Sequence, residues 1–254
     1  MSVKTIRMAA LAGALALVGV MSTLTASASA AVTPINSENC KEPSFLLGPL
    51  ALKKPVNGFM TVKKINQNIP LSNGSFKGLV GLCIEEPEAT ITGSITKSTI
   101  TFPAFTAPVK IFGTATEIGL EVKQFGPGEG TITKPAGSEC TPTTCTPEGE
   151  FDDITLNVQA QANILFNSVK LFGITIPTQC TTSKPISLPF VKAMTLGELL
   201  IETTITGSTT MPSVKCKGIL GPLESVILTS LFSGPNNPYS LTFGETSVIE
   251  ESEL

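Results

Sequence analysis

From Ile154 to Phe166 the chain alternates without a break. Ile154, Leu156, Val158, Ala160, Ala162, Ile164 and Phe166 are separated by Thr155, Asn157, Gln159, Gln161, Asn163 and Leu165. An apolar period of two over this length matches a strand with one face buried, and no helix can bury such a set on one side. A slip of one residue would turn the whole apolar set toward water, so the register of such a strand is strongly specified. The intervening side chains are mostly neutral amides and hydroxyls. The chain must therefore build a large half-buried sheet around this segment.

The same period returns elsewhere. Ile118, Leu120 and Val122 are inward positions of a strand over 117–123, and Leu199, Ile201, Thr203 and Ile205 suggest another, with Glu202 and Thr204 outward. Further β-rich runs lie at 58–65, 75–83, 89–103, 108–115, 167–177, 185–191 and 238–249, dominated by Thr and Ile, residues that suit a pleated, half-buried surface. The nineteen Pro and twenty-two Gly fall mostly between these runs. One segment departs from alternation. After Gly221-Pro222, apolar residues at 223, 226, 227, 228, 231 and 232 trace a helical face, with Pro222 suited to a first turn and Gly234-Pro235 to a stop. The expected fold is all-β: one or two antiparallel β-sandwiches with one short C-terminal helix, stapled by disulfides.

The N-terminus reads as an export leader. Lys4 and Arg7 precede an apolar stretch from Met8 to Val20, and Ala26-Ser27-Ala28-Ser29-Ala30 supplies small residues for cleavage, expected after Ala30 with Ala28 and Ala31 as alternatives. The stretch is shorter than the roughly twenty residues needed to span a bilayer. With Cys40 as the first Cys and an acidic C-terminal segment without an apolar tail, neither a lipid anchor nor a transmembrane anchor is expected. The mature protein is expected to be secreted, either free in the extracellular space or associated with the envelope. The expected organisation is a leader (1–30), an N-terminal β region (31–124), a Gly/Pro/Thr-rich disulfide loop (125–150) and a C-terminal β region (151–254). The two β regions could also form one continuous domain.

Six Cys remain after export: Cys40, Cys83, Cys140, Cys145, Cys180 and Cys216. In an oxidising compartment an even number implies a disulfide framework, and six Cys admit fifteen connectivities among which sequence does not choose. Sequential pairing is the expectation: Cys40–Cys83, Cys140–Cys145 and Cys180–Cys216. The outer two close loops of about forty residues, worth roughly 4 kcal/mol each in the chain-entropy picture.

Much chemistry is excluded by composition. The chain has no His and no Trp, and its single Arg lies in the leader. Without the leader, fifteen Lys face twenty acids, a poor basis for binding nucleic acid. Without His, Ser-His-Asp and Cys-His nucleophiles cannot be assembled. Ser94-Ile-Thr-Lys97 spells the S-x-x-K of penicillin-interacting enzymes, but in an alternating strand positions three apart point to opposite faces. The acidic runs Glu85-Glu86-Pro-Glu88 and Glu148 to Asp153 could pair carboxylates for glycoside hydrolysis, yet Tyr239 is the only Tyr or Trp available as a sugar platform. Glu148, Glu150, Asp152 and Asp153 are the only candidate Ca²⁺ ligands. Gly126-Pro-Gly128-Glu-Gly130 precedes a strand-like Thr-Ile-Thr and reads as a turn, not a phosphate loop.

The C-terminal half carries an ordered set of short motifs. Val169-Lys-Leu-Phe-Gly173 is followed by Cys180 and Pro185, then Ile205-Thr-Gly207, Met211-Pro212 and Cys216-Lys-Gly218. Last comes Leu231-Phe-Ser-Gly-Pro-Asn-Asn-Pro-Tyr-Ser-Leu241. Over roughly 165–243 this order resembles a group of secreted actinobacterial β-rich proteins. The resemblance implies export and a Cys180–Cys216 pair, and implies no mechanism. The expected function is a non-enzymatic structural or surface-interaction role at a bacterial envelope or in the extracellular space, with no cofactor and an unidentified partner. The alternative is a carrier of an apolar, lipid-like ligand in a β-lined pocket, which the mean hydropathy of +0.29 accommodates.

Overall fold

A computed structural model describes residues 32–36, 38–40, 45–85, 90–111, 113–124, 126–134, 154–171 and 173–254, which belong to one compact unit. The leader, Cys140, Cys145 and the acidic cluster at Glu148, Glu150, Asp152 and Asp153 lie outside the described residues.

The elements in chain order are β1 (Phe45–Val62), β2 (Gln67–Glu85), β3 (Thr90–Ile111), β4 (Thr114–Gln124), β5 (Gly128–Lys134), β6 (Ile154–Leu171), β7 (Ile174–Thr182) and β8 (Ile186–Met194). There follow helix α1 (Leu196–Leu200), β9 (Thr203–Met211), β10 (Val214–Cys216), helix α2 (Gly221–Phe232), β11 (Gly234–Phe243) and β12 (Ser247–Val248). The all-β, antiparallel class holds, and α2 occupies the segment read as helical. The expected sandwich, however, is one sheet of twelve strands. Its path runs β10-β7-β6-β4-β3-β2-β1-β11-β9, with β5 between β3 and β6, β8 beside β6, and β12 beside β1.

Long strands that change partners make this possible. The first half of β6 pairs with β5 and β8, and the second half with β4 and β7. β3 does the same, meeting β5 along Ile91–Ser98 and β4 from Phe102 onward. A strand shared between two sets of neighbours must bend, and register shifts between Ile95/Ser98 and Phe102/Phe105 mark where β3 does so. The sheet curls until β8 and β9 lie side by side. No ladder joins them; side chains do. Thr209 Oγ1 donates to the Ser187 carbonyl at 2.7 Å, Lys192 Nζ to Thr203 Oγ1 at 2.6 Å, and the Tyr239 hydroxyl of β11 to the Pro189 carbonyl.

Inside the curl sits one core. All seven apolar positions of the 154–166 alternation are buried, as are Ile118, Leu120 and Val122. Three sequence readings are corrected. Residues 89–103 and 108–115 are not two strands: β3 runs through Pro103 and Pro108 to Ile111, and the turn comes at Gly113. Residues 128–134, within the expected loop, form β5, which fills the gap between β3 and β6. Leu199 belongs to α1, and the strand expected from it begins only at Thr203, because Thr195 and Glu198 form a capping box that starts a helix.

Two disulfides match the expected pairing. Cys40–Cys83 ties the N-terminal segment to β2, and Cys180–Cys216 joins directly opposed residues of β7 and β10. Among the described residues no helix is long and apolar enough to cross a membrane.

Candidate functional site

β1 enters the sheet with a register shift between Leu47 and Leu50, which leaves both side chains partly exposed at the rim. Across from them stands α1, whose Leu-Gly-Glu-Leu-Leu sequence places Leu196, Leu199 and Leu200 on one side at i, i+3 and i+4. The capping box sets this short helix. Thr195 Oγ1 accepts the Glu198 N–H at 3.1 Å, and the Glu198 carboxylate accepts the Thr195 N–H at 2.9 Å. The C-terminal segment straps it down: the Thr246 N–H donates to the Leu200 carbonyl at 2.9 Å, and β12 pairs Val248 with Leu52. Between these parts lies a cleft of about 400 Å³, lined by Leu, Val and a single Thr. That volume is typical of small-molecule sites, which run from about 300 to 1,000 Å³.

Leu52, Val80 and Leu199 also line a second, smaller cavity of about 50 Å³ inside the curl. The two spaces therefore adjoin at these three side chains. The inner cavity is walled by β1, β2, β3, β6, β8, β9, β11 and α1, including Ile95, Leu156, Phe190 and Phe243. Its one ionisable lining residue is Lys54. On β1 the inward phase reads Leu52, Lys54, Val56, and Lys54 is only 5% exposed. Its Nζ donates to the Ile201 carbonyl at 2.7 Å and the Gly244 carbonyl at 3.1 Å. No carboxylate pairs with it among the described residues. Burial alone lowers its pKa to about 8, because an ammonium loses hydration there without gaining a counter-charge. Tyr239, at the β8–β9 seam, is pushed up to about 12 by burial.

Sequence reading did not find Lys54, because β1 was recognised only from residue 58. The signal was present: a Lys in phase with Leu52 and Val56. Ser94 and Lys97 do not meet, although regular alternation is not the reason: β3 shifts register between Ile95 and Ser98, and Lys97 takes a φ of +50° there. Ser94 is buried, accepting the Ile35 N–H at 2.8 Å, whereas Lys97 points outward to Glu251 at 2.7 Å. Cys180, Cys216 and the Glu224 carboxylate converge closely, but the two sulfurs are bonded to each other and offer no thiolate to a metal. Gly128 and Gly130, the centre of the Gly-rich turn, lie in β5. There a Cβ on Gly130 would sit 2.5 Å from Val158 Cγ2, so the Gly permits close strand contact and not phosphate binding.

Comparison with family models, curated proteins and solved structures found no match to this chain.

Proposed function

We propose that this is an exported, non-enzymatic protein that binds an apolar, lipid-like ligand in the leucine-lined cleft. The observation that carries the reading is the cleft itself: about 400 Å³ of space walled by aliphatic side chains, adjoining a cavity in the core. A well-packed interior leaves few voids larger than a water. An apolar space of this size suits a hydrocarbon group, which loses contact with water on entering and needs no directional partner.

Native mass spectrometry of the mature protein from its own culture medium, with a denatured control, tests the reading. The expected result is an adduct of lipid-like mass that disappears on denaturation. A fluorescent aliphatic probe should then bind saturably to the stripped protein, and Leu50→Arg at the cleft mouth should weaken that binding about tenfold or more. Absence of both adduct and saturable probe binding would overturn it.

The second reading, a structural or surface-interaction protein of the envelope or extracellular space, is favoured by a different observation. The outer face of α2 is apolar and uncovered.

A further inference from the structure

α2 lies along the open edge of β10, the last strand of the sheet path. Its hydroxyls complete that edge. Ser225 Oγ accepts the Cys216 N–H at 2.8 Å and donates to the Gly221 carbonyl at 2.7 Å, while Thr229 Oγ1 accepts the Val214 N–H at 2.8 Å. Leu228, Leu231 and Phe232 pack into the core, and the Phe232 ring meets Phe166 edge-on at 5.1 Å. The Cys180–Cys216 disulfide fixes the strand beneath. The helix is thus firmly seated, with the Ser225 and Thr229 hydroxyls directed toward β10.

Its other face carries Leu223, Val226 and Ile227, and the turn that leads into it adds Ile219 and Leu220. Ile219 is 100% exposed and Val226 68%. Leu223, Val226 and Ile227 stand three and four residues apart on one side of the helix. Single exposed apolar residues are ordinary, but three on one helical face together with two in the turn before it mark an interaction surface.

The charges around this surface indicate its partner. Lys215 lies on β10 and Lys217 directly follows it. Lys63 and Lys64 come from a 3-10 turn that packs against α2. That turn is held by Asn237, whose buried side chain accepts the Lys63 N–H at 3.0 Å and donates to the Gly234 carbonyl at 2.7 Å. A Cβ on Gly234, just past the end of α2, would lie 3.7 Å from Lys64 Cε, which places this lysine at the helix C-terminus. All four lysines are exposed, and none has an ion-pair partner among the described residues. Glu224 is the only acid on the helix. Four cations are thus gathered around an apolar surface in a chain that is acidic overall.

We infer that the outer face of α2 and its four surrounding lysines dock the protein onto an anionic lipid bilayer surface. An apolar helical face can sink to the headgroup–acyl boundary while lysines at its margin meet lipid phosphates. The same charges disfavour a second copy as occupant: a two-fold contact through this face would set lysines against lysines. The inference does not depend on ligand binding in the cleft.

Flotation of the mature protein with vesicles tests it, comparing phosphatidylcholine alone with phosphatidylcholine doped with phosphatidylglycerol. Binding to the doped vesicles is expected to be at least about tenfold stronger and to weaken with added salt, each lysine contributing roughly a factor of five at low salt. Leu223→Ser with Val226→Ser should abolish flotation while leaving the melting temperature unchanged, since both residues face solvent. Lys63, Lys64, Lys215 and Lys217 all changed to Gln should remove the preference for anionic lipid. Leu50→Arg in the cleft should float like wild type, which separates this inference from the ligand-binding reading. Failure of the wild type to float, equal flotation of the Ser double variant, or a lipid-free dimer that dissociates in that variant would each overturn the inference; the last would assign the face to a second copy.

Discussion

Lys54 shows how one residue departs from the rule of its strand. β1 buries Leu52 and Val56 for the hydrophobic gain, and the residue in phase between them is a lysine held by two backbone carbonyls. Its pKa of about 8 lies below the ordinary 10.5. Between those values the unfolded chain holds a proton that the folded protein has released, so stability should rise with pH across this window. Below about pH 8 both states are protonated and the gain is absent. The slope cannot exceed one proton's worth, about 1.4 kcal/mol per pH unit. Lys54→Met should lack this component, so urea unfolding of the two proteins should show the difference moving in favour of wild type from about pH 8 to 10.5. A difference that stays constant with pH would refute the burial argument. Tyr239 makes a comparable residue-level contribution at the seam, where its hydroxyl supplies a hydrogen that no ladder provides.

At the scale of elements, short pieces with strong local chemistry position the functional surfaces. α1 has only five residues, too few to stand alone, and rests on its capping box and on Thr246. Thr195→Ala should weaken it by about 1 kcal/mol, seen as faster amide exchange at Glu198 and Leu199 and lower affinity for an aliphatic probe. If exchange there is unchanged, the cap does not hold the cleft wall. The Cys180–Cys216 bridge closes a segment with a sequence separation of 36. Replacing both Cys with Ser should cost on the order of 4 kcal/mol in chemical denaturation, the chain-entropy value for such a loop. Because β10 is the seat of α2, the same variant should also loosen that helix. Two features of the sequence concealed elements from reading. Pro103 and Pro108 looked like strand breaks, yet both lie exposed on β3, Pro103 within its register shift, where a missing N–H is tolerated. The Thr-x-x-Glu signal before 196 was hidden because Leu199, Ile201, Thr203 and Ile205 also fit alternation.

Across the whole molecule, stability should be uneven in a way the sheet path predicts. β2, β3 and β6 have strand neighbours on both sides over most of their length, whereas β8 and β9 face each other across a seam without a ladder. Amide exchange should therefore be slowest in β3 and β6 and faster along the facing edges of β8 and β9; equal protection there would mean that β8 and β9 are joined by backbone hydrogen bonds after all. Much of this architecture was legible in the sequence. The 154–166 alternation determined a long half-buried strand and which of its residues face the core, because side-chain period is a local property of extended backbone. The apolar spacing at 223–232 determined the helix, and the Cys positions framed two bridges. Only the tertiary structure decided that one sheet curls on itself where two were expected to stack, since partner exchange along β3 and β6 depends on pairings between residues far apart in the chain. It alone brought Leu47 and Leu50 opposite Leu199 and Leu200, enclosed Lys54, and set lysines from 63–64 and 215–217 around one helix. Those groupings arise from long-range register, which no local pattern encodes.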